Sequence, residues 1–262
     1  MKKLTIAVLS ILMGMLMIWF YHKSSHEGLV VEKEKNVICF GTCADYPPME
    51  HYRDGTLTGF EIELAKLIGQ KLKKGIVLED MAFGPLQIAL GKGFIEAFVA
   101  AFGVTPEGRK KFDFTIPYYI ERMVFLHKKD DPITRLEELS RKKIIYQLSG
   151  RIKKTLGENI PEAELISVDR IDVAMEMFKA GHGDCVYMDV FVADVYCEEN
   201  PQWTYLVLDS LKVSDGIAIV LPKGSPLRVE INRVLKALEA SGELQALRKK
   251  WKLEAAWKLP NE

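Results

Sequence analysis

The sequence predicts an α/β protein of two lobes around a ligand cleft. Two observations carry this prediction. Apolar, strand-like runs alternate with amphipathic helical segments in two successive units, and two further helical segments close the chain. Such alternation is typical of largely parallel sheets covered by helices. Ligands bind to such sheets outside the carboxyl ends of the strands, so the cleft is expected there.

The first unit contains three predicted strands and two predicted helices. Apolar runs beginning at Asn36, Ile76 and Phe94 predict the strands, since β-branched and aromatic residues are frequent in them. Asp54-Gly55 is typical of a hairpin turn, and apolar residues then recur at helical spacing from Phe60 to Leu72. A shorter helix is predicted just before the third strand.

The second unit repeats this order between residues 123 and 190. Strands are predicted for the apolar runs MVFLH, KIIYQLS, ELISV and CVYMDV, and helical segments lie between them. A further strand, GIAIVL, precedes two terminal helices that each carry apolar residues at helical spacing. These residues are Leu227, Leu235 and Leu238 in one helix, and Leu244, Leu247 and Trp251 in the other.

The composition is that of an ordinary soluble protein. The 262 residues carry a formal net charge of +0, with 48% hydrophobic and 27% charged residues. Phosphate binding needs a basic excess or stripe, so we expect no nucleic-acid partner. The sequence shows no Ser/His/Asp order, no paired-carboxylate spacing and no Cys/His spacing of a zinc site. We therefore expect no catalytic residue, no metal and no cofactor.

The N-terminal segment has the features of an export signal. Lys2-Lys3 supplies a positive start, and an uncharged run from Leu4 to Phe20 follows. This run is longer than a usual signal core of ~7–15 residues and shorter than the ~20 residues of a membrane-spanning helix. Two alternatives stay open for residues 1–23: a cleaved signal peptide, with Ser24-Ser25 as a weak cleavage candidate, or an uncleaved anchor. Residues 24–35 are then a polar tether, and the protein faces the periplasm or the cell exterior.

The four cysteines are interpreted mainly as small core residues. Cys39 and Cys43 are four residues apart in a predicted strand, so they lie ~13 Å apart and cannot form a disulfide. Cys185 and Cys197 could form a disulfide in an oxidising compartment, and the sequence leaves that pairing open.

Five motifs give the chain a resemblance to a known family. The segment GFEIELAKLIG, from Gly59 to Gly69, resembles the signature helix of the extracellular solute-binding proteins of family 3, the amino-acid-binding type. Alone, this motif would also fit an ordinary amphipathic surface helix. Four more motifs keep the order and spacing of the family between Asn36 and Trp251: GTCADYPPME, VTPEGRKKFDFTIPYY, GDCVYMDV and SGELQALRKKW.

The resemblance implies a type II periplasmic-binding-protein fold, with two mixed sheets flanked by helices and a ligand cleft between the lobes. Residues 36–119 and 216–257 would form the first lobe, 120–215 the second, and 258–262 a tail. The lobes would close by a hinge motion around a small polar ligand, an amino acid or related amine. The implied protein partner is an ABC permease in the inner membrane, and the solute-binding protein itself would be a monomer.

The resemblance also assigns the ammonium side of a ligand site. The family pairs the ligand ammonium with an acid at the end of a second-lobe strand, and Asp189 matches that position. An aromatic ceiling matches Tyr46, and a second wall matches Phe83. The alternative roles are a strand-end turn residue for Asp189 and ordinary core packing for the two aromatics. With Phe102, these residues would suit an amine or a guanidinium through cation–π contacts and an acid.

The carboxylate side of the site departs from the family pattern. The family reads Thr-x-x-Arg, and its Arg binds the ligand carboxylate with two hydrogen bonds. Here Gly108 stands at the Arg position after Thr105, and Arg109 follows one residue later. One residue on a helix turns a side chain by ~100°, so Arg109 is not an automatic replacement.

Two further changes affect the same side. Gly103, after Ala101 and Phe102, stands where the family has a Ser or Thr, and Ser149-Gly150-Arg151 replaces its second-lobe Gly-Thr turn. In the first interpretation, Arg109 or Arg151 binds the ligand carboxylate in place of the family Arg. In the second, the ligand is not an ordinary α-amino acid, or the cleft no longer binds its ligand tightly. Both interpretations stay open.

Two other function classes are compatible with the predicted fold. A membrane-anchored ligand-sensing module would use the N-terminal segment as its anchor. An enzyme of the cyclohexadienyl-dehydratase type would use Asp45, Glu50 or Asp189 as its acid. A solute-binding protein without catalysis is the preferred interpretation.

Overall fold

The described chain forms two five-stranded sheets with helices between their strands, and one small three-stranded sheet. A computed structural model describes residues 36–208, 211 and 214–253. The predicted signal peptide or anchor, residues 1–23, the predicted tether, 24–35, and the predicted tail, 258–262, lie outside the described residues. Within the described residues, no helix is long and apolar enough to span a membrane.

The first sheet has five strands in the order β5-β1-β6-β13-β7. β1 and β6 are parallel, with Phe40 opposite Ala97, and β13 is antiparallel to both of its neighbours. The strands are β1 (Val37–Thr42), β5 (Gly75–Asp80), β6 (Ala97–Phe98), β7 (Asp113–Phe114) and β13 (Val220–Leu221). The helices of this part are α1 (Phe60–Leu72), α2 (Phe83–Lys92), α3 (Pro106–Lys111), α7 (Leu227–Ala240) and α8 (Glu243–Lys250). We call this sheet with these helices the first lobe.

A small antiparallel sheet extends the first lobe after β1. It comprises β2 (Asp45–Tyr46), β3 (Glu50–Arg53) and β4 (Thr56–Thr58). The predicted hairpin turn is confirmed, because Asp54 and Gly55 join β3 to β4 with φ values of 51° and 72°. Backbone hydrogen bonds at 2.9 Å, from Phe60 N to Pro48 O and from Glu61 N to Met49 O, fix this sheet to the start of α1.

The second sheet has the order β10-β9-β11-β8-β12. β9, β10 and β11 are mutually parallel where they pair, and β8 is antiparallel to β11 and β12. The strands are β8 (Met123–Lys128), β9 (Lys143–Gln147), β10 (Glu164–Val168), β11 (Cys185–Asp189) and β12 (Trp203–Val207). A 3-10 turn (Leu136–Leu139) and helices α4 (Gly150–Asn159), α5 (Ile171–Lys179) and α6 (Val190–Glu199) complete the second lobe.

Two segments of chain connect the sheets, one between β7 and β8 and one between β12 and β13. The segments lie side by side, because Ile217 N donates to Tyr119 O at 2.8 Å and Tyr118 N donates to Ile217 O at 3.0 Å. Phe191, in the first turn of α6, packs edge-on against the rings of both Tyr46 and Tyr119. The two lobes are therefore held by backbone hydrogen bonds between the connecting segments and by the aromatic contacts of Phe191.

Three details differ from the sequence prediction. The apolar runs from Phe94 and from Gly216 form strands only at Ala97–Phe98 and Val220–Leu221, because Ala101 (φ 46°) and Gly216 (φ 111°) bend the backbone. Helix α6 was not predicted, because its own apolar residues are not confined to one face and so show no helical periodicity. Strand β12 was also not predicted. Cys185 and Cys197 do not form the disulfide that the sequence left open.

Candidate ligand-binding cleft

Asp189 lies where the two lobes meet. It is the last residue of β11, at the carboxyl end of the strand, and α6 begins at the next residue. Its side chain is buried, and its Oδ2 accepts a hydrogen bond of 2.8 Å from the hydroxyl of Tyr46. Tyr46 belongs to β2 of the first lobe, so this hydrogen bond crosses the cleft.

Asp45 makes a second contact between the lobes. Its Oδ2 accepts a hydrogen bond of 3.3 Å from the backbone N of Ile171, at the start of α5. Arg170 Nε lies 3.9 Å from the same oxygen, and the thiol of Cys43 donates to Oδ1 at 3.2 Å. Asp45 is therefore a buried carboxylate that contacts the second lobe through one hydrogen bond and one ion pair.

A cavity of about 40 Å³ remains between the lobes. That volume holds a few water molecules, so the cleft is closed in this structure and a ligand must enter while the lobes are apart. Residues of both lobes form the wall: Cys43, Asp45, Tyr46, Glu50, Phe83, Ala100, Ala101, Met123, Gln147, Leu148, Ser149, Arg151, Ile152, Ile171, Tyr187 and Asp189.

The predicted site residues divide into two groups. Five of them line this cavity together: Tyr46, Phe83, Ala101, Arg151 and Asp189. The other three, Phe102, Gly103 and Arg109, do not line it. Phe102 stacks on Phe83 with ring centroids 5.6 Å apart, behind the wall. Arg109 is exposed on α3.

Gly103 makes room for the guanidinium of Arg151. A Cβ at Gly103 would collide with Nη1 of Arg151 and would lie 2.7 Å from Cβ of Ser214. The same Nη1 donates a hydrogen bond of 2.7 Å to Oε1 of Glu121, whose side chain is only 3% exposed. Arg151 therefore occupies the space beside Gly103 and is already paired with a carboxylate.

Three buried carboxylate oxygens are left without a hydrogen bond. No described residue donates to Oδ1 of Asp189, Oε2 of Glu121 or Oε2 of Glu50. Burial raises the pKa of Asp189 well above its usual range, and the nearby charge of Glu121 adds to this effect. The buried carboxylates near the cavity therefore have acceptor oxygens that no described residue satisfies.

A carboxyl pair lies beneath the cavity wall. Glu61 is fully buried and accepts hydrogen bonds from the hydroxyl of Tyr118 and from the backbone N of Ala101. Glu50 hydrogen-bonds to Glu61, and burial, reinforced by that neighbour, raises the pKa of Glu50 well above its usual range. We interpret the pair as sharing one proton, which Glu50 carries and donates to Glu61.

We predict that Glu50→Gln stabilises the empty protein at pH 8. A carboxyl group whose pKa is higher in the folded than in the unfolded state makes the folded protein less stable when it must ionise. This loss of stability is absent below the unfolded-state pKa of about 4.3 and grows as pH rises. Gln keeps the donor and cannot ionise. The melting temperature should rise by ~2–4 °C at pH 8, equivalent to about 1 kcal/mol, and by less at pH 5.

The exposed Glu79→Gln serves as the control for this comparison, which differential scanning calorimetry can make. An equal change in both variants, or a lower melting temperature for Glu50→Gln at pH 8, would contradict the shared proton.

The contribution of Glu121 was not predicted from the sequence. Glu121 lies in the connecting segment and carries no motif, although an acid just after the expected crossing near Tyr119 could have drawn attention to it. Glu50 was considered only as a possible acid of an enzyme. Its partner Glu61 belongs to the signature helix, but only the folded chain brings the two carboxyl groups together.

Two lobes joined by paired connecting segments, with a small cavity between them, are the architecture of a ligand-binding protein. The family model of the bacterial extracellular solute-binding proteins, family 3, matches residues 38–254. The chain belongs to that family, and its fold is the type II periplasmic-binding-protein fold.

Known relatives cover nearly all of the described chain. The arginine-binding extracellular protein ArtP of Bacillus subtilis (strain 168) is 33% identical over 224 residues, which is 84% of this chain and 88% of the relative. A crystal structure of the substrate-binding protein of an amino acid ABC transporter is 32% identical, with a TM-score of 0.77 over 82% of this chain and 98% of that one. The L-arginine-bound structure of AbpA from Streptococcus pneumoniae Canada MDR_19A is 27% identical, with a TM-score of 0.76 over 86% and 98%.

Proposed function

We propose that this protein captures a small cation in the cleft and delivers it to an ABC permease. The cation carries an ammonium or guanidinium group, as a basic amino acid or a related amine does. The observation that carries the proposal is the buried Asp189, with one oxygen bound to Tyr46 and the other without a donor among the described residues. A ligand N–H group satisfies that second oxygen and neutralises the charge.

The surroundings of Asp189 support a cation. Tyr46 and Phe83 present aromatic rings to the cavity, and cation–π attraction favours a positive group at such a surface. Glu121 adds an acidic group close to Asp189. The names of two relatives point the same way, because one is called arginine-binding and another was crystallised with L-arginine.

Binding closes the lobes in this proposal. The first lobe comprises residues 36–119 and 216–257, the second comprises 120–215, and 258–262 is a tail. The paired backbone at Tyr119 and Ile217 serves as the hinge. An inner-membrane permease recognises the closed form of a monomer, and no catalytic step is part of the function.

A ligand screen tests the proposal. The full-length chain, purified in mild detergent, is melted alone and with arginine, lysine, putrescine, glutamate or leucine. A ligand at a hundredfold excess over its Kd stabilises the folded state by about 2.7 kcal/mol, which raises the melting temperature by ~5–10 °C in a chain of this size. We expect this rise with at least one cation. A rise with glutamate or leucine alone would contradict the proposal.

We also propose that the protein acts in the periplasm, with residues 1–23 as a signal peptide or retained anchor. Alkaline phosphatase folds into an active enzyme only outside the reducing cytoplasm, because its disulfides must form. A fusion after residue 35 is therefore expected to be active in whole cells. A matched fusion with Lys2 and Lys3 kept and the run Leu4 to Phe20 deleted is expected to be inactive. Equal activity of the two fusions would exclude export by this segment.

A further inference from the structure

We propose that the cleft selects cations that lack a carboxylate, such as a diamine or a guanidinium amine, over the corresponding amino acids. This inference rests on the proposed function, because it concerns which cation the same cleft binds. It is based on the hydrogen-bond donors, acceptors and charges of the residues around the cavity.

The first lobe offers no cation for a carboxylate among the described residues of the cavity wall. Thr105 uses its hydroxyl to cap α3, where it accepts a hydrogen bond of 2.9 Å from Gly108 N. Gly108 carries no side chain, and a Cβ there would lie only 3.1 Å from the ring of Phe114. Arg109, the next residue, is exposed and does not line the cavity.

The second lobe contributes one cation to the described cavity wall, and that cation is already neutralised. Arg151 pairs with Glu121 at 2.7 Å, and the missing side chain of Gly103 provides the space in which Arg151 lies. A ligand carboxylate at Arg151 would share the guanidinium with Glu121, to which Arg151 donates one hydrogen bond. Two carboxylates on one cation would leave a net negative charge beside the buried Glu121, which is unfavourable.

The buried carboxylate oxygens that lack a hydrogen bond need N–H or O–H donors, and a ligand carboxylate would supply none. Asp189 and Glu121 each have one buried oxygen that no described residue binds. An amine or guanidinium supplies several N–H donors and positive charge, whereas a carboxylate supplies only acceptors and adds negative charge. An ammonium or guanidinium group therefore matches the neighbouring acceptors of Asp189 and Glu121.

Matched ligand pairs test the inference directly. Agmatine is arginine without its carboxylate, and cadaverine is lysine without its carboxylate. We expect calorimetric titration of the full-length chain to show agmatine binding at least tenfold more tightly than arginine, and cadaverine more tightly than lysine. Arginine binding as tightly as agmatine, or more tightly, would overturn the inference and leave the proposed function intact. If none of the four cations binds, the proposed function itself fails.

A variant of Glu121 provides the second test. Glu121→Gln retains the shape of the side chain but frees Arg151 from its counter-charge, so that a ligand carboxylate can reach the guanidinium. We expect the ratio of arginine to agmatine affinity to rise at least tenfold in this variant. Glu137→Gln, an exposed residue in the 3-10 turn, is the control and should leave the ratio unchanged. An unchanged ratio in Glu121→Gln, with the fold confirmed by melting, would also overturn the inference.

Discussion

Asp189→Asn is expected to weaken the binding of agmatine and of arginine at least 30-fold. The substitution removes the buried negative charge that pairs with the cation, and breaking such a desolvated pair costs ~2–5 kcal/mol of binding free energy. The melting temperature of the empty protein should not fall, because burial disfavours the charged form of Asp189 and Asn still accepts the hydrogen bond from Tyr46.

Calorimetric titration and a melting curve of the same preparation measure both parts of this expectation. Asp130→Asn, an exposed acid after β8, is the matched control and should bind normally. Normal binding by Asp189→Asn would remove Asp189 from the ligand site. Unfolding of the empty variant would instead assign Asp189 the structural role of a strand-end residue.

Gly59→Ala is expected to destabilise the fold by about 3 kcal/mol or more, which corresponds to ~6–12 °C in melting temperature. Gly59 has φ 134° and ψ 170°, a backbone conformation essentially restricted to glycine. A Cβ there would collide with the carbonyl oxygen of Met49 and lie 2.9 Å from Cα of Glu50. The added methyl group therefore pushes β3 away from the start of α1.

Gly84→Ala is the matched control, because Gly84 lies within α2 and a Cβ there meets nothing within 4 Å. Ala is the better helix former, so this control should be stabilised by about 0.5–1 kcal/mol. Urea unfolding of the two variants and the wild type gives the comparison. If Gly59→Ala is no less stable than the wild type, the tight junction between β3 and α1 does not exist in solution.

Local patterns were sufficient to predict the main elements of the fold. The helix over Phe60 to Leu72 followed from its apolar spacing, and the hairpin followed from Asp54-Gly55. Helix α6 escaped because its apolar residues are not confined to one face. The early end of the strand after Phe98 escaped because Ala101 adopts a positive φ, which tertiary contacts impose and residue type does not indicate.

The residues that the family resemblance suggested include five that surround one cavity. The resemblance matched Asp189 to an acid at the end of a second-lobe strand and Tyr46 to an aromatic ceiling, and both residues line the described cavity. The pairing of Arg151 with Glu121, and of Glu50 with Glu61, could not be predicted. These partners are distant in sequence, and only the packing of the lobes and connecting segments brings them within hydrogen-bond distance.

The most direct test of a cation site at Asp189 is a crystal structure of the protein grown with saturating agmatine. The account predicts that a nitrogen of agmatine lies about 3 Å from Oδ1 or Oδ2 of Asp189. It also predicts that Tyr46 and Phe83 flank the ligand and that Arg151 remains paired with Glu121. Agmatine bound elsewhere, or an Asp189 that still contacts only Tyr46 at saturating agmatine, would contradict it.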